Sequence, residues 1–293
     1  MINMSKRLQS AMEYLITYGW AILVIAVVLG VLYSLGIFSP SNFAPKAQPG
    51  NCQVFRPNGP GTSYDANLEG TCSGELPQYA AQFNGETSFI TVENAKILAI
   101  NGSISIQAWV NANPVSSIGI VTKGPPSGGY DYMMYISGAG TGTTDLYLTN
   151  STGHSSTSPL VYVYVGNWHQ VVVSFNSSNS MFYAYLDGEL KGSAKGGLSD
   201  IRETSNSLLI GKGWAGSFNG LLSNIQIYNT SISSNEVQSL YQEGIGGAPA
   251  NLQYLVGWWP LNGNANDYSG NNNDGISSNV VYTGTWQRGY TAP

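Results

Sequence analysis

Between Asn262 and Asp274 the sequence NGNANDYSGNNNDG gathers Asn262, Asn264, Asn266, Asp267, Asn271, Asn273 and Asp274 into one short loop. Calcium takes roughly six to eight oxygen ligands in flexible geometry, so Asn264, Asn266, Asp267, Asn271 and Asp274 form a candidate calcium set. The loop does not follow the EF-hand spacing. With two carboxylates it would bind weakly, as suits an exterior rich in calcium. The same Gly/Asn composition also suits turns built from left-handed conformations, and both readings stand.

Tyrosines supply a second kind of chemistry. In VYVYV, Val161 and Val163 alternate with Tyr162 and Tyr164, and in MFYAYL the set Phe182, Ala184 and Leu186 alternates with Tyr183 and Tyr185. With the aliphatic sets inward, Tyr162, Tyr164, Tyr183 and Tyr185 are expected on one outer sheet face, as a platform for sugar rings or a protein surface. A plain tyrosine coat on a surface poor in charge is the alternative.

Catalysis finds little support. No strand presents paired carboxylates at alternating positions, since Asp187 and Glu189 fall in a hairpin turn. His154 and His169 stand without a neighbouring acid and nucleophile in sequence. No nucleophile elbow, phosphate loop or dinucleotide fingerprint occurs. The expectation is a protein that is not an enzyme.

The elements that must carry these groups follow from periodicity. Ile104, Ile106, Ala108 and Val110 share one strand face, as do Val171, Val173 and Phe175, and Asp187-Gly188 reads as a tight hairpin turn. Further strands are expected over 88–92, 132–136, 145–149, 208–211 and 222–228. Many short strands separated by turn residues indicate an all-β sandwich or jelly roll. One helix interrupts them: Ser233 with Glu236 makes a capping box, and Gly244 stops it.

The chain's 293 residues carry only 9% charged side chains and a net charge of -5. An ordinary globular chain carries roughly 25%. No Lys/Arg cluster follows Arg7, which argues against nucleic acid. Tyr14 to Phe38 is uncharged for 25 residues, about 37 Å as a helix against a hydrocarbon layer of roughly 30 Å. A transmembrane helix is therefore expected before the β domain, with Lys6 and Arg7 inside and everything past Pro40 outside. In that oxidising exterior, Cys52 and Cys72 read as one disulfide closing a loop of about 20 residues. Asn101, Asn150, Asn176 and Asn229 each begin an N-x-S/T sequon and are candidate glycan sites.

The segment KRLQSAMEYLITYGWAILVIAVV resembles the archaeal class III signal peptide of type IV pilin-like proteins. The resemblance implies cleavage between Leu8 and Gln9, which places Glu13 at the fifth mature position; Leu8 departs from the small residue common before the cut. A carboxylate in apolar packing is costly alone, and the new amino terminus of a neighbouring Gln9 would neutralise it and set the register between subunits. A plain signal anchor with Glu13 near the headgroups is the alternative. The stretches AQFNGETSFITV, SISIQAWV, GNWHQVVVSFN, YLDGEL and LLIGKGWAGSFNGLLSNIQIYN, in this order, are similar to the laminin G-like, concanavalin A-like jelly roll. LVGWWPLNGNANDYSGNNNDG resembles the opening strand of such modules yet comes last, so the strand near 255–261 is expected to fold back and complete the sandwich.

These readings divide the chain into a leader at 1–8, a transmembrane or filament-core helix at 9–38, a Pro/Gly-rich connector at 39–61 and a jelly-roll domain at 62–293. The expected function is a membrane-anchored, pilin-like subunit at the cell surface, forming homo-oligomers and presenting a lectin-like domain to a carbohydrate or surface protein. The competing expectation is a monomeric lectin-like receptor on the same anchor.

Overall fold

Alternation of β-branched and aromatic residues with small polar ones produces the strands. The structure, a computed structural model, describes residues 18, 21–29, 76–93, 96–113, 118–124, 129–137, 141–213, 216–291 and 293, and the backbone of 52–55 and 63–66. The leader calls at Leu8 and Gln9, Glu13, Cys72 and the side chain of Cys52 lie outside the described residues.

The chain separates into two units, 1–47 and 48–293. In the first, residues 21–29 are helical, with Ile22, Leu23, Ile25 and Val28 exposed. Among the described residues no helix is long and apolar enough to cross a membrane.

The second unit begins with β1 (Cys52–Phe55) paired to β2 (Ser63–Ala66). There follow β3 (Ala80–Asn84), β4 (Phe89–Val92), β5 (Ile104–Ala112), β6 (Ile118–Lys123), β7 (Tyr132–Ser137), β8 (Thr141–Thr149), β9 (Ser155–Thr157) and β10 (Val161–Tyr164). After these come β11 (His169–Asn176), β12 (Met181–Leu186), β13 (Glu189–Lys195), β14 (Leu208–Ile210) and β15 (Asn219–Tyr228). The helix α1 (Ser234–Gln242) precedes β16 (Leu255–Trp259), β17 (Gly275–Ser278) and β18 (Val281–Thr283). Beside the two-stranded β1–β2 sheet, two eight-stranded antiparallel sheets result among the described residues. Sheet I runs β13-β12-β11-β5-β15-β3-β18 with β16 on β15, and sheet II runs β10-β8-β7-β6-β14-β4-β17 with β9 on β8.

The alternating sets meet between the sheets. Ile104, Ile106, Val171, Val173, Phe175 and Phe182 of sheet I pack against Tyr132, Met134, Leu146, Leu148, Val161 and Val163 of sheet II in one buried core. Asp187 and Gly188 both take positive φ, 51° and 78°, as the two-residue hairpin from β12 to β13 requires. Ser233 caps α1 and exchanges hydrogen bonds with Glu236, while Gly244 takes φ 81° just past the helix.

Sheet I is buried on its outer face as well. Val237 and Leu240 of α1, with Ile232, Leu255 and Trp258, cover Val172, Tyr185 and Tyr228 in a second cluster. β16 lies beside β3 along one edge of β15, with Ile225 opposite Trp259 and Leu222 opposite Ala81. Trp259 is fully buried in the main core and donates its indole N–H to Asn273 O at 3.0 Å.

Candidate functional site

The sheet assignment divides the expected tyrosine platform. β10 belongs to sheet II and β12 to sheet I. Both aliphatic sets do point inward, and for that reason Tyr162 faces away from Tyr183 and Tyr185, while Tyr164, at the end of β10, has its ring 6.1 Å from that of His169 in sheet I. Tyr162 and Tyr164 are exposed, whereas Tyr185 is buried beneath α1 with its hydroxyl 3.3 Å from Ser234 Oγ. The four do not form one face.

Tyr162 instead shares the outer face of sheet II with residues of β7 and β8. It pairs with Thr143 on β8, and Asp145 and Tyr147 follow on the same side at the two-residue repeat. Across the ladder Asp145 pairs with Tyr135 and Tyr147 with Met133, while the inward partners Tyr132, Met134, Leu146 and Leu148 enter the core. Tyr135 and Tyr147 are half-buried, and Asp145 is 2% exposed. Gly119 of β6 pairs with Tyr135. The Lys212–Gly213 backbone passes over it so closely that a Cβ at Gly119 would meet Lys212 O at 2.6 Å. This segment walls the face on the Tyr135 side.

Asp145 is the unusual group. Burial pushes its pKa from 3.8 up to about 6, opposed by a hydrogen bond from Tyr135. Burial, then the Asp145 charge, raises the Tyr135 phenol well above its ordinary range. Asp145 Oδ1, Thr122 Oγ1 and the Tyr130 hydroxyl are buried with no hydrogen-bond partner among the described residues. Thr122 lies opposite Met133 on this face, and Tyr130 interacts electrostatically with Tyr147. Such groups are ordinarily paired with protein or ordered water, so these three unpaired atoms set this face apart among the described residues.

Asp131, next to this face, is committed elsewhere. Its carboxylate accepts from Arg202 Nε at 3.2 Å and from Thr204 N and Oγ1 at 3.1 and 2.6 Å. That arrangement anchors the 202–206 segment, whose carbonyls at Thr204 and Asn206 accept from the buried Lys123 Nζ. It is scaffolding for the face.

The Asn/Asp loop is similarly occupied. Asp267 Oδ1 accepts from Trp258 N and Ser269 N, both at 2.9 Å, and Oδ2 accepts from Ser269 Oγ at 2.8 Å and Asn273 N at 2.9 Å. Asp274 Oδ1 accepts from Asp267 N, and Asn264 Oδ1 from Asn266 N. Asn271 Nδ2 reaches the carbonyls of Leu255 and Val256. A cation at Asn264, Asn266, Asp267, Asn271 and Asp274 would compete with these donors. Among the described residues no group of three or more His, Cys, Asp and Glu could hold a metal ion.

The sequons divide by exposure. Asn101 and Asn229 are exposed, while Asn150 and Asn176 are half-buried with their side-chain carbonyls engaged in turns to Thr152, His154 and Ser178.

Known proteins share this architecture. A candidate carbohydrate binding protein from Bacteroides ovatus superposes with a TM-score of 0.54 at 13% identity, covering 75% of this chain and 66% of that one. A SAP-like pentraxin from Limulus polyphemus gives 0.48 at 13% identity over 70% and 94%. The CBM40 of a Ruminococcus gnavus sialidase, bound to α2,3-sialyllactose, gives 0.44 at 16% identity over 57% and 98%. A search of the curated proteins finds no match. The likeness to the Bacteroides protein shows the fold, and the chain spans 66% of that protein's length. The family model described as concanavalin A-like lectin/glucanases superfamily matches residues 84–238, more than half of the 293. This match, on a fold of two antiparallel sheets around one core, places the chain in the concanavalin A-like lectin/glucanases superfamily.

Proposed function

We propose that this protein is a non-catalytic, carbohydrate-binding surface protein that uses the outer face of sheet II. The observation that carries the reading is the buried Asp145 carboxyl, with one oxygen unpartnered among the described residues and Tyr135 and Tyr147 beside it. A neutral sugar offers hydroxyl donors for that oxygen and C–H faces for aromatic rings. The superfamily also contains glucanases, but Asp131, the other buried carboxylate near this face, is tied to Arg202 and Thr204. A hydrolase would use a second free carboxyl facing the first. The carbohydrate binding ascribed to the Bacteroides protein agrees with this reading.

A glycan array probed with the full chain, in a detergent without a sugar headgroup, tests it. Tyr147→Ala is expected to weaken retention of the best glycan by about tenfold, as loss of a stacking ring does, while Tyr183→Ala on sheet I leaves it unchanged. Retention that ignores Tyr147, or an array with no retained glycan, would refute the assignment.

For the N-terminal segment we propose the pilin-like reading, with the jelly roll held outside the cell on a helix that packs into a filament. It is supported by the uncharged run from Tyr14 to Phe38 behind Lys6 and Arg7, with Glu13 just before it. The Glu13→Gln variant is expected to remain in the membrane and lose filament assembly, because only an ionised acid can pair with a neighbouring amino terminus. Sequencing of mature chains decides the point: a start at Gln9 agrees, and an intact Met1 leaves a simple anchor.

A further inference from the structure

A cavity of about 250 Å³, whose lining does not include Asp145, opens beside the last turn of α1. Trp109, Tyr164, Asn167, Trp168, His169 and Tyr241 contribute to its lining. Its walls are fixed. Tyr241 stacks on Trp109 at 5.9 Å with 16° between the planes. Trp168 donates its indole N–H to Trp286 O at 2.8 Å and meets that ring edge-on. His169 Nδ1 lies 2.8 Å from Asp187 Oδ2, and Asp187 Oδ1 accepts from Gln170 N at 2.9 Å.

Two polar atoms of the lining residues have no such partner. With Nδ1–H donating to Asp187, His169 Nε2 is left as an acceptor. It is buried and without a hydrogen-bond partner among the described residues, and so is the donor Trp109 Nε1. Trp109 as a whole is 1% exposed. An unpaired donor and an unpaired acceptor on residues that line one aromatic cavity are a cost that a ligand with both kinds of group removes if it reaches them.

We infer that this cavity is a second carbohydrate subsite, taking one neutral polyhydroxylated ring such as the end residue of a glycan. Each sugar hydroxyl is donor and acceptor at once, matching Trp109 Nε1 and His169 Nε2. The aromatic walls suit the C–H faces of a pyranose. A cation fits less well, because both oxygens of Asp187 are already engaged by His169 and Gln170. The volume lies below the roughly 300–1,000 Å³ of pockets for larger ligands, which restricts it to a single ring.

The test uses the full chain labelled with ¹⁵N-tryptophan, in a sugar-free detergent. Methyl α-D-glucoside, methyl α-D-mannoside, methyl β-D-galactoside and N-acetylglucosamine are titrated to roughly 100 mM, where millimolar affinities register. The Trp109 indole resonance, assigned by its loss in Trp109→Phe, is expected to move saturably with at least one of them. His169→Phe is expected to weaken that response about fivefold by removing one acceptor. The response persists in Tyr147→Ala. An unmoved Trp109 signal, an unaltered His169→Phe titration, or a response to tetramethylammonium chloride alone overturns the inference. Loss of the response in Tyr147→Ala also overturns it, by assigning all binding to sheet II. A Trp109 response that persists when Tyr147→Ala fails to change array binding leaves the inference standing and removes the sheet II reading.

Discussion

At pH 7.5 the Asp145→Asn variant unfolds at higher denaturant than its parent, by about 3 kcal/mol, and near pH 3.5 the two coincide. Burial holds the Asp145 carboxyl near pKa 6 in the folded chain against 3.8 ordinarily, so the folded state binds its proton more tightly than the unfolded state. Stability therefore falls as pH rises from about 4 to about 6, then levels off, because ionisation in the buried site is disfavoured. An amide of the same shape avoids that loss. Urea titrations at pH 3.5, 5 and 7.5 check it, and a variant no more stable than its parent at pH 7.5 removes the buried-acid argument. Glycan binding should respond in the opposite sense. A ligand hydroxyl donating to Oδ1 favours the ionised carboxylate, so affinity rises through pH 6 in the parent, and Asp145→Asn binds weakly at every pH. A group that costs stability while supporting binding fits a stability–function trade-off.

Asp267→Ala is expected to lose about 3–5 kcal/mol, equally with and without a chelator. The carboxylate accepts four hydrogen bonds, and its removal leaves the Trp258 and Asn273 amides unpaired beside β16. Each buried donor so abandoned costs about 1–3 kcal/mol. For a domain of this size the melting temperature falls by roughly 6–20 °C. If calcium rather than this hydrogen-bond set organised the loop, chelation of the parent would reproduce the fall. A parent melting curve unmoved by chelator, together with a large loss in the variant, assigns Asp267 to the loop's own folding.

Much of the architecture can be read from the chain because strand alternation, the Asp187-Gly188 turn and the Ser233–Glu236 capping box are local features. β6, β9, β17 and β18 are less legible. β9, β17 and β18 are short, expose much of their length and sit at or near sheet edges, as with Gly275–Ser278 and Val281–Thr283. β6 combines Gly119 with a register shift against β7, which breaks the alternation. The tyrosine face failed for a different reason. Alternation tells which side of a strand points inward, but pairing between distant segments decides to which of two sheets the strand belongs. TTDLYLT does contain a signal for the site, since a lone acid between inward-facing residues marks an outward position. The burial of Asp145 depends on its three-dimensional surroundings and leaves no periodic trace. The Asn/Asp loop shows the same limit, because composition counts oxygens and says nothing of how many are already engaged.

The placement of β16 bears on how the molecule is made. Until Leu255–Trp259 has been synthesised, β15 lacks its neighbour along Ile225–Tyr228, and Trp259 and Trp286 are missing from their interior places. A growing polypeptide thus carries an unfinished sheet with an open backbone edge until Trp259 has been made. Closure of the core therefore waits on a segment distant in sequence from the strands that it completes.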